Sequence, residues 1–227
     1  MRLLVTRPEP AASALARRLI GLGHEAYVAP LTRIEPLEVS LPLPHLAETT
    51  LLASSANAFL PFQRIDIDQT HFHQVAEFWC VGAKTAEAGC KLGLPTPTVL
   101  GTDALNLVHQ ITQTSPRARV LYMAGLQRSP LLEDALKSRG IEFSVLETYD
   151  APAIEQPFKD IKTDAVEGVL LMSPRAAEVF IQRWPGKNWP TVFCLSKQIA
   201  DSLANKPKDV RIARTPDMER LLSLLED

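Results

Sequence analysis

Residues 168–180 read GVLLMSPRAAEVF and carry the strongest structural signal in the chain. The apolar run VLLM is typical of a buried parallel strand. Ser173 is a favourable helix N-cap, and Pro174 suits the first helical position, where a missing N–H costs nothing, so a helix is predicted from this point. A near copy, LLASSANAFLPF, occupies residues 51–62. Such turns, at the carboxyl edge of a parallel sheet, present backbone N–H groups and a helix dipole that favour anions.

The rest of the chain repeats this scheme of strand followed by helix. Strand patterns that alternate with helical patterns predict α/β layers built on parallel sheets. Three pairs of segments also resemble each other in pattern and spacing: residues 2–30 and 119–152, residues 80–86 and 194–200, and residues 101–105 and 214–218. The sequence therefore predicts two copies of one five-strand unit.

The order of the copies predicts one discontinuous domain and one inserted domain. Residues 1–35 and 152–227 form the first, and residues 36–151 form the second. Two proline-bearing connectors, near residues 31–44 and 150–157, must then run side by side. There they could pair as a two-stranded ladder, leaving a cleft between the domains. A single sheet of nine or ten strands is the alternative, and the internal repeat makes it less favourable.

Composition and charge exclude several classes of partner. A hydrophobic content of 46% and a charged content of 22% indicate an ordinary globular protein. A net charge of -2 gives no support for binding to nucleic acid or to an anionic membrane. The longest apolar runs are shorter than a membrane span, and the first residues do not have the pattern of a secretory signal. Three cysteines without metal-ligand spacing indicate reduced thiols and a cytoplasmic protein.

The residues at the predicted strand-to-helix turns are the candidates for ligand binding, because open α/β sheets bind ligands at the carboxyl ends of their strands. Five of the six turns carry Arg or Lys in the first helical turn, where the helix dipole disfavours a cation by ~0.3–1 kcal/mol. This pattern indicates a polyanionic ligand; solvated surface charges are the alternative. The candidates are Arg7, Ser55, Asn57, Lys84, Thr85, Gly125, Arg128, Ser173, Pro174, Arg175, Ser196 and Gln198.

Common catalytic and cofactor motifs are absent from the sequence. There is no GxGxxG after a strand, no GxxxxGK[ST], no GxSxG, and no metal-ligand set around His71 and His73, which are expected in an exposed loop. Tyr149 remains, at the end of the last strand of the inserted domain. A phenol there could act as a general acid toward a leaving hydroxyl, although its ordinary pKa of ~10 makes it a weak one. A tyrosine that only packs at a hinge is an equal alternative.

Six segments occur in a characteristic order along the chain: LLVTRPEPAASALARRLIGLGHEAYVAPLTRIEP, LLASSANAF, WCVGAKTAEA, LYMAGLQR, ETYDAP and LLMSPRAAEVF. Together they resemble the motifs of the uroporphyrinogen-III synthase family, and the resemblance spans nearly the whole chain. It implies two flavodoxin-like domains joined by a two-stranded ladder. It also implies a monomeric, cytoplasmic enzyme of tetrapyrrole biosynthesis that uses no cofactor and no metal.

The substrate that the resemblance implies is hydroxymethylbilane, a linear tetrapyrrole with eight carboxylates, received in a transient hand-off from hydroxymethylbilane synthase. Loss of the hydroxyl gives an azafulvene, which is attacked through the substituted carbon of ring D. Rearrangement through a spiro intermediate then closes the ring with ring D inverted. The product serves haem, sirohaem or cobalamin synthesis.

The resemblance also assigns roles to single residues. Tyr149 matches the family's tyrosine proposed to assist departure of the hydroxyl, and Thr85 matches the threonine of a VG-x-x-T turn. Ser173 matches the serine of a TSP-type turn, and Ser55 with Asn57 matches the earlier copy of that turn.

The chain departs from the family pattern in two places. LSKQI at residues 195–199 stands where a second VG-x-x-T turn is usual, so Ser196 or Gln198 is expected to replace the threonine. Ala53 and Ser54 stand where Phe-Thr is common. A non-catalytic module that binds a tetrapyrrole or another polyanion is one alternative. A two-domain binding protein of the periplasmic type is another, disfavoured by the lack of a signal peptide.

Overall fold

The structure is a computed structural model that describes residues 1–39, 43–63 and 69–226. The chain divides into two compact units, Met1–Arg33 with Pro152–Asp227 (unit 1) and Ile34–Ala151 (unit 2). Within the first predicted connector, residues 40–42 lie outside the described residues. Among the residues that the structure describes, no helix is long and apolar enough to cross a membrane.

Strands and helices alternate along the chain as the sequence predicts. The strands are β1 (Arg2–Val5), β2 (Glu25–Val28), β3 (Glu35–Pro36), β4 (Thr49–Ala53), β5 (Glu77–Val81), β6 (Val99–Gly101), β7 (Arg119–Gly125), β8 (Phe143–Asp150), β9 (Gly168–Leu171), β10 (Thr191–Cys194) and β11 (Val210–Ile212). The α-helices are α1 (Ala11–Gly21), α2 (Ala83–Lys91), α3 (Ala104–Gln113), α4 (Leu131–Ser138), α5 (Pro174–Arg183), α6 (Lys197–Asp201) and α7 (Met218–Ser223). Short 3-10 helices occupy Leu43–Glu48, Ala56–Gln63, Gln69–Gln74 and Thr163–Ala165.

Each unit contains one sheet, and the two sheets share a strand order. The sheet of unit 1 is parallel throughout, in the order β11-β10-β9-β1-β2. The sheet of unit 2 has the order β3-β8-β7-β4-β5-β6, and only β3 is antiparallel to its neighbour. If β7 and β8 are matched with β1 and β2, and β4–β6 with β9–β11, the five strands follow the same flavodoxin-like order. This confirms the predicted fold class and excludes a single sheet.

Both faces of each sheet are covered, which explains why the strands read as continuous apolar runs. Along β9, Val169 and Leu171 pack with α5 and α6, whereas Leu170 packs on the opposite face with α1 and α7. In unit 2, Leu51 lies on the face covered by the 3-10 helix Ala56–Gln63, and Leu52 lies on the face covered by α3 and α4. Successive residues of a strand therefore pack into hydrophobic clusters on opposite faces of the sheet.

The two connectors pair within each unit. In unit 1, Thr32 forms an antiparallel bridge with Ala153, and the Arg33 N–H donates to the Pro152 carbonyl at 3.1 Å. In unit 2, β3 pairs with the end of β8, where Pro36 lies opposite Tyr149. The antiparallel pairing predicted for the connectors is thus present in the described residues on both sides of the unit boundary.

Two local predictions are corrected. The helix predicted in the near copy LLASSANAFLPF, at Ala56–Gln63, is a 3-10 helix and not an α-helix. Pro61 lies inside it and has no N–H to donate, and a proline ring clashes with an α-helical turn. His71 and His73 lie in the 3-10 helix Gln69–Gln74, not in an irregular loop.

Candidate functional site

In unit 1, the strand order reverses between β1 and β9, the position where open α/β sheets bind ligands. The Thr6 hydroxyl donates to the Leu170 carbonyl at 2.7 Å and so ties the two strand ends together. Arg7 follows directly and is half-buried. Burial lowers the pKa of Arg7, and no acid among the described residues forms an ion pair with it. A desolvated guanidinium without a counter-charge is suited to an anion.

The turn after β9 has the predicted cap. Ser173 has an extended backbone, and its hydroxyl accepts the Ala176 N–H at 3.1 Å, with Pro174 at the first helical position. Arg175 pairs with Glu178 at 3.1 Å, but its Nε is buried and has no hydrogen-bond partner among the described residues. This turn therefore holds a second guanidinium with an unused donor.

The turn after β10 has no side-chain cap. Ser196 occupies the N-cap position of α6 with an extended backbone, but its hydroxyl makes no capping hydrogen bond. The Ser196 hydroxyl is therefore not used to cap α6. Gln198 lies in the first turn of α6 and is exposed. Gly82, the N-cap residue of the equivalent turn after β5, likewise makes no side-chain capping bond.

In unit 2, consecutive serines after β4 contact different tyrosines. The Ser54 hydroxyl lies 2.9 Å from that of Tyr122, which is almost completely buried. Ser55 accepts the Asn57 N–H at 3.2 Å, and its hydroxyl lowers the pKa of Tyr149. The structure thus brings Ser55, Asn57 and Tyr149 together, although they come from distant parts of the sequence.

Gly125, at the end of β7, lies against the ring of Tyr149. A methyl group added at Gly125 would lie 2.8 Å from Tyr149 Cζ and 3.1 Å from its hydroxyl oxygen. Burial raises the pKa of Tyr149, and the interaction with Ser55 opposes that rise. The phenol is therefore protonated at neutral pH and can donate a hydrogen bond.

A β-bulge sets the direction of Tyr149. Ala124 lies opposite Glu147, and Gly125 lies opposite Tyr149, so Thr148 is an extra residue in β8. Thr148 is fully buried, and its hydroxyl donates to the Ala124 carbonyl at 3.3 Å. Strand side chains alternate between faces, and one extra residue reverses that alternation. Tyr149 consequently packs on the same face as Leu146, toward the turn that carries Ser55.

Sequence reasoning missed this bulge. A threonine inside a strand is ordinary, and the alternation of β8 gives no sign of an insertion. Had β8 been regular, Tyr149 would face the cluster that contains Tyr122.

The turn after β5 carries two further candidates, of which Lys84 is exposed and Thr85 is buried. Gly82 has a φ of 79°, a conformation that side chains disfavour, and α2 begins at the next residue. Lys84 is exposed and makes no ion pair with any described residue. Thr85 is 4% exposed, so solvent has little access to it in this structure.

The sequence predicts that Arg128 binds substrate carboxylates, but in the structure it pairs with carboxylates of the protein. Its guanidinium forms ion pairs with Glu133 at 2.7 Å and with Glu147 at 2.9 Å. It also donates to the Gly125 carbonyl at 3.0 Å. Its charge is therefore already balanced by acids of the same unit.

Other features of the described residues lie outside these turns. A surface depression of about 530 Å³ in unit 1 is lined by Arg2 and residues 161–165, at the amino-terminal edge of the strands. No group of three or more His, Cys, Asp or Glu in the described part of the chain could hold a metal ion. Burial raises the pKa of Cys80 and of Cys194 to about 12, so both are core thiols.

Comparisons with known proteins point to one family. The family model described as uroporphyrinogen-III synthase HemD matches residues 13–223. The uroporphyrinogen-III synthase of Escherichia coli is 25% identical, and that of Salmonella typhimurium 24%, each over the full length of both chains.

Two solved structures have a similar fold. The uroporphyrinogen-III synthetase of Helicobacter pylori has a TM-score of 0.67 at 14% identity, covering 99% of this chain and 97% of that one. A mutant uroporphyrinogen III synthase of Thermus thermophilus has a TM-score of 0.59 at 21% identity, covering 100% of this chain and 96% of that one. At these identities the similarity supports the fold alone.

Proposed function

The chain belongs to the uroporphyrinogen-III synthase family, and from this premise we propose that it converts hydroxymethylbilane into uroporphyrinogen III in tetrapyrrole biosynthesis. The observation that carries the proposal is the family match over residues 13–223, which includes every candidate residue except Arg7. The site chemistry supports it, because turns rich in N–H groups and cations suit a substrate with eight carboxylates.

The reaction removes a hydroxyl from hydroxymethylbilane and closes the ring with ring D inverted, through an azafulvene and a spiro intermediate. Without an enzyme the same substrate closes to the uninverted isomer. The protein must therefore favour a strained geometry over an easy competing attack, which it can do by holding the folded chain through its carboxylates. On this view no single side chain is indispensable.

Tyr149 assists the departure of the hydroxyl as a general acid in this proposal. Its phenol is protonated at neutral pH because burial raises its pKa, and the bulge at Thr148 directs the ring toward the turn that carries Ser55. Gly125 permits the close approach of the ring to the end of β7. A phenol is a weak acid, so its contribution is expected at the lower end of general acid catalysis.

Substrate carboxylates are bound, in the same proposal, by Arg7 and Arg175 in unit 1 and by Lys84 in unit 2. Both guanidinium groups have donor capacity that the described residues do not use, and Lys84 is exposed without an ion pair. Hydrogen-bonding groups of the turns in each unit complete the proposed binding set: Ser55, Asn57 and Thr85 in unit 2, and Ser173, Ser196 and Gln198 in unit 1.

We also infer the wider setting. The units act as two domains, with residues 1–35 and 152–227 in one and residues 36–151 in the other. The enzyme works in the cytoplasm as a monomer, and takes its unstable substrate from hydroxymethylbilane synthase in a transient hand-off.

The test is a product analysis. Freshly made hydroxymethylbilane is supplied to the protein, the products are oxidised, and the type I and type III isomers are resolved by chromatography. An excess of type III over a buffer control supports the proposal. Type I alone, as in buffer, would contradict it.

A second candidate is a non-catalytic module that binds a tetrapyrrole on the same fold. The observation that favours it is the sequence of the turn after β10, where LSKQI stands in place of a second VG-x-x-T turn. Tight binding of hydroxymethylbilane together with type I product alone would identify this module.

A further inference from the structure

Arg128 lies at the centre of a network that the proposed function does not use. It is 21% exposed and joins three parts of unit 2: Glu133 in the first turn of α4, Glu147 in β8, and the Gly125 carbonyl at the end of β7. Burial alone would lower the pKa of Arg128, but the hydrogen bonds to Glu147 and Glu133 raise it overall. The guanidinium therefore stays charged and bonded.

The groups that Arg128 holds are those that surround Tyr149. Gly125 lies against the tyrosine ring, and the Leu126 N–H donates to the Tyr149 carbonyl at 2.8 Å. Glu147 precedes Tyr149 by two residues, with the bulge residue Thr148 between them. Arg128 thus contacts both sides of the β7–β8 pairing at the point where its register shifts.

Charge decides between the two possible roles of Arg128. A cation that binds a substrate carboxylate needs donors and net charge to spare, as do Arg7 and Lys84, which form no ion pair with a described residue. Arg128 instead faces two carboxylates at ion-pair distance, and charge-assisted bonds of this kind are roughly twice as strong as neutral ones. A substrate carboxylate would have to compete with both.

We propose that Arg128 is a positioning residue for Tyr149, which fixes the turn after β7 and the bulge in β8 so that the phenol faces Ser55. This inference rests on the proposed function, because Tyr149 is taken to assist hydroxyl departure. It assigns Arg128 to orientation and not to substrate binding.

The kinetic test is a double-mutant cycle between Arg128→Met and Tyr149→Phe, measured as the rate of type III formation over a range of hydroxymethylbilane concentrations. Arg128→Met should lower kcat by about tenfold, as expected for a misplaced catalytic group, and change KM by less than about twofold. In the Tyr149→Phe background the same substitution should change kcat by less than about twofold, since the phenol it positions is gone.

Two results would overturn the inference. One is an equal loss of kcat in both backgrounds, which means that Arg128 acts independently of Tyr149. The other is a higher KM with unchanged kcat, the signature of lost substrate binding. Glu147→Gln, which removes the charged acceptor on β8 with little change in volume, must give the same pattern as Arg128→Met and replaces it if that variant does not fold.

A spectroscopic arm separates failure of this inference from failure of the proposed function. The chain has three tyrosines, so ring-¹³C labelling gives three resonances that Tyr→Phe variants assign. Arg128→Met should shift the Tyr149 resonance and leave that of Tyr27, which belongs to unit 1, unchanged. An unmoved Tyr149 resonance would refute the positioning role even if the wild-type protein formed no type III product.

Arg119→Met is the matched control. Arg119 lies at the opposite end of β7, is largely exposed, and pairs with Glu142 at 3.0 Å. The substitution removes the same charge from the far end of β7, away from the turn that carries Arg128, and should alter neither kcat nor the Tyr149 resonance.

Discussion

Two opposing influences act on the hydroxyl of Tyr149. Burial destabilises the phenolate and raises the pKa, whereas the interaction with Ser55 stabilises the phenolate and lowers it. The balance is a raised pKa, so the proton leaves only at a pH above the ordinary value of ~10. Ionisation of Tyr149 should therefore cause no change in the rate of turnover between about pH 6 and pH 9.

Tyr149→Phe should lower the kcat for type III formation by roughly one to two orders of magnitude, because it removes the proton donor while keeping the ring. The loss should exceed that of Thr85→Ala, Ser173→Ala or Arg175→Ala, which leave the proton donor in place. Initial rates of type III formation measure all four. Similar losses in all four variants would remove the special role of Tyr149.

The consecutive serines provide a matched pair for titration. Ser55→Ala should raise the pKa of Tyr149 further, because the lost interaction stabilised the phenolate, and should leave Tyr122 unchanged. Ser54→Ala should raise the pKa of Tyr122 and leave Tyr149 unchanged, since Ser54 bonds only the former. Ring-¹³C shifts followed from pH 8 to pH 12 report each ionisation. A shift of Tyr149 in Ser54→Ala would contradict this division.

At the scale of the element, two strand-to-helix turns of unit 1 differ in whether a serine hydroxyl caps the helix. Ser173 and Ser196 both occupy N-cap positions with extended backbones, in turns that follow neighbouring strands. Only Ser173 accepts a helical N–H, that of Ala176. The same residue type in the same kind of turn thus makes different contributions to its helix.

Ser173→Ala should destabilise unit 1 by about 1 kcal/mol, the usual cost of losing a serine N-cap. Ser196→Ala should cost clearly less, because its hydroxyl makes no capping bond to lose. Urea unfolding of the two variants, compared with wild type at constant m-value, measures the difference. Equal destabilisation would show that Ser196 has a hydroxyl contact of comparable strength.

At the scale of the molecule, unit 2 is inserted in the sequence between the two segments of unit 1, yet each unit has its own hydrophobic core. Each of the four hydrophobic clusters draws its buried residues from one unit, with two clusters on the two faces of each sheet. The two chain segments of unit 1 meet where Thr32 bridges Ala153. Each unit therefore holds the core and the backbone pairing that it needs to fold.

Removal of residues 34–151, with residues 33 and 152 joined by a short glycine-rich linker, should leave unit 1 folded. The Arg33 N–H already donates to the Pro152 carbonyl at 3.1 Å, so the linker spans a short gap. The isolated segment 34–151 should fold as well. Circular dichroism and thermal unfolding of each fragment test this, and loss of cooperative unfolding in either fragment would contradict independent folding.

The sequence by itself determined the parallel α/β units, their duplication and the position of most turns. These features depend on local signals: continuous apolar strands, serine and proline at helix starts, and repeated spacing. The direction of Tyr149 and the partners of Arg128 depended on the tertiary structure. Thr148 becomes a bulge only when β8 is paired with β7, and Arg128 meets Glu147 only across that pairing. Register and long-range charge pairing arise between segments, so no local pattern encodes them.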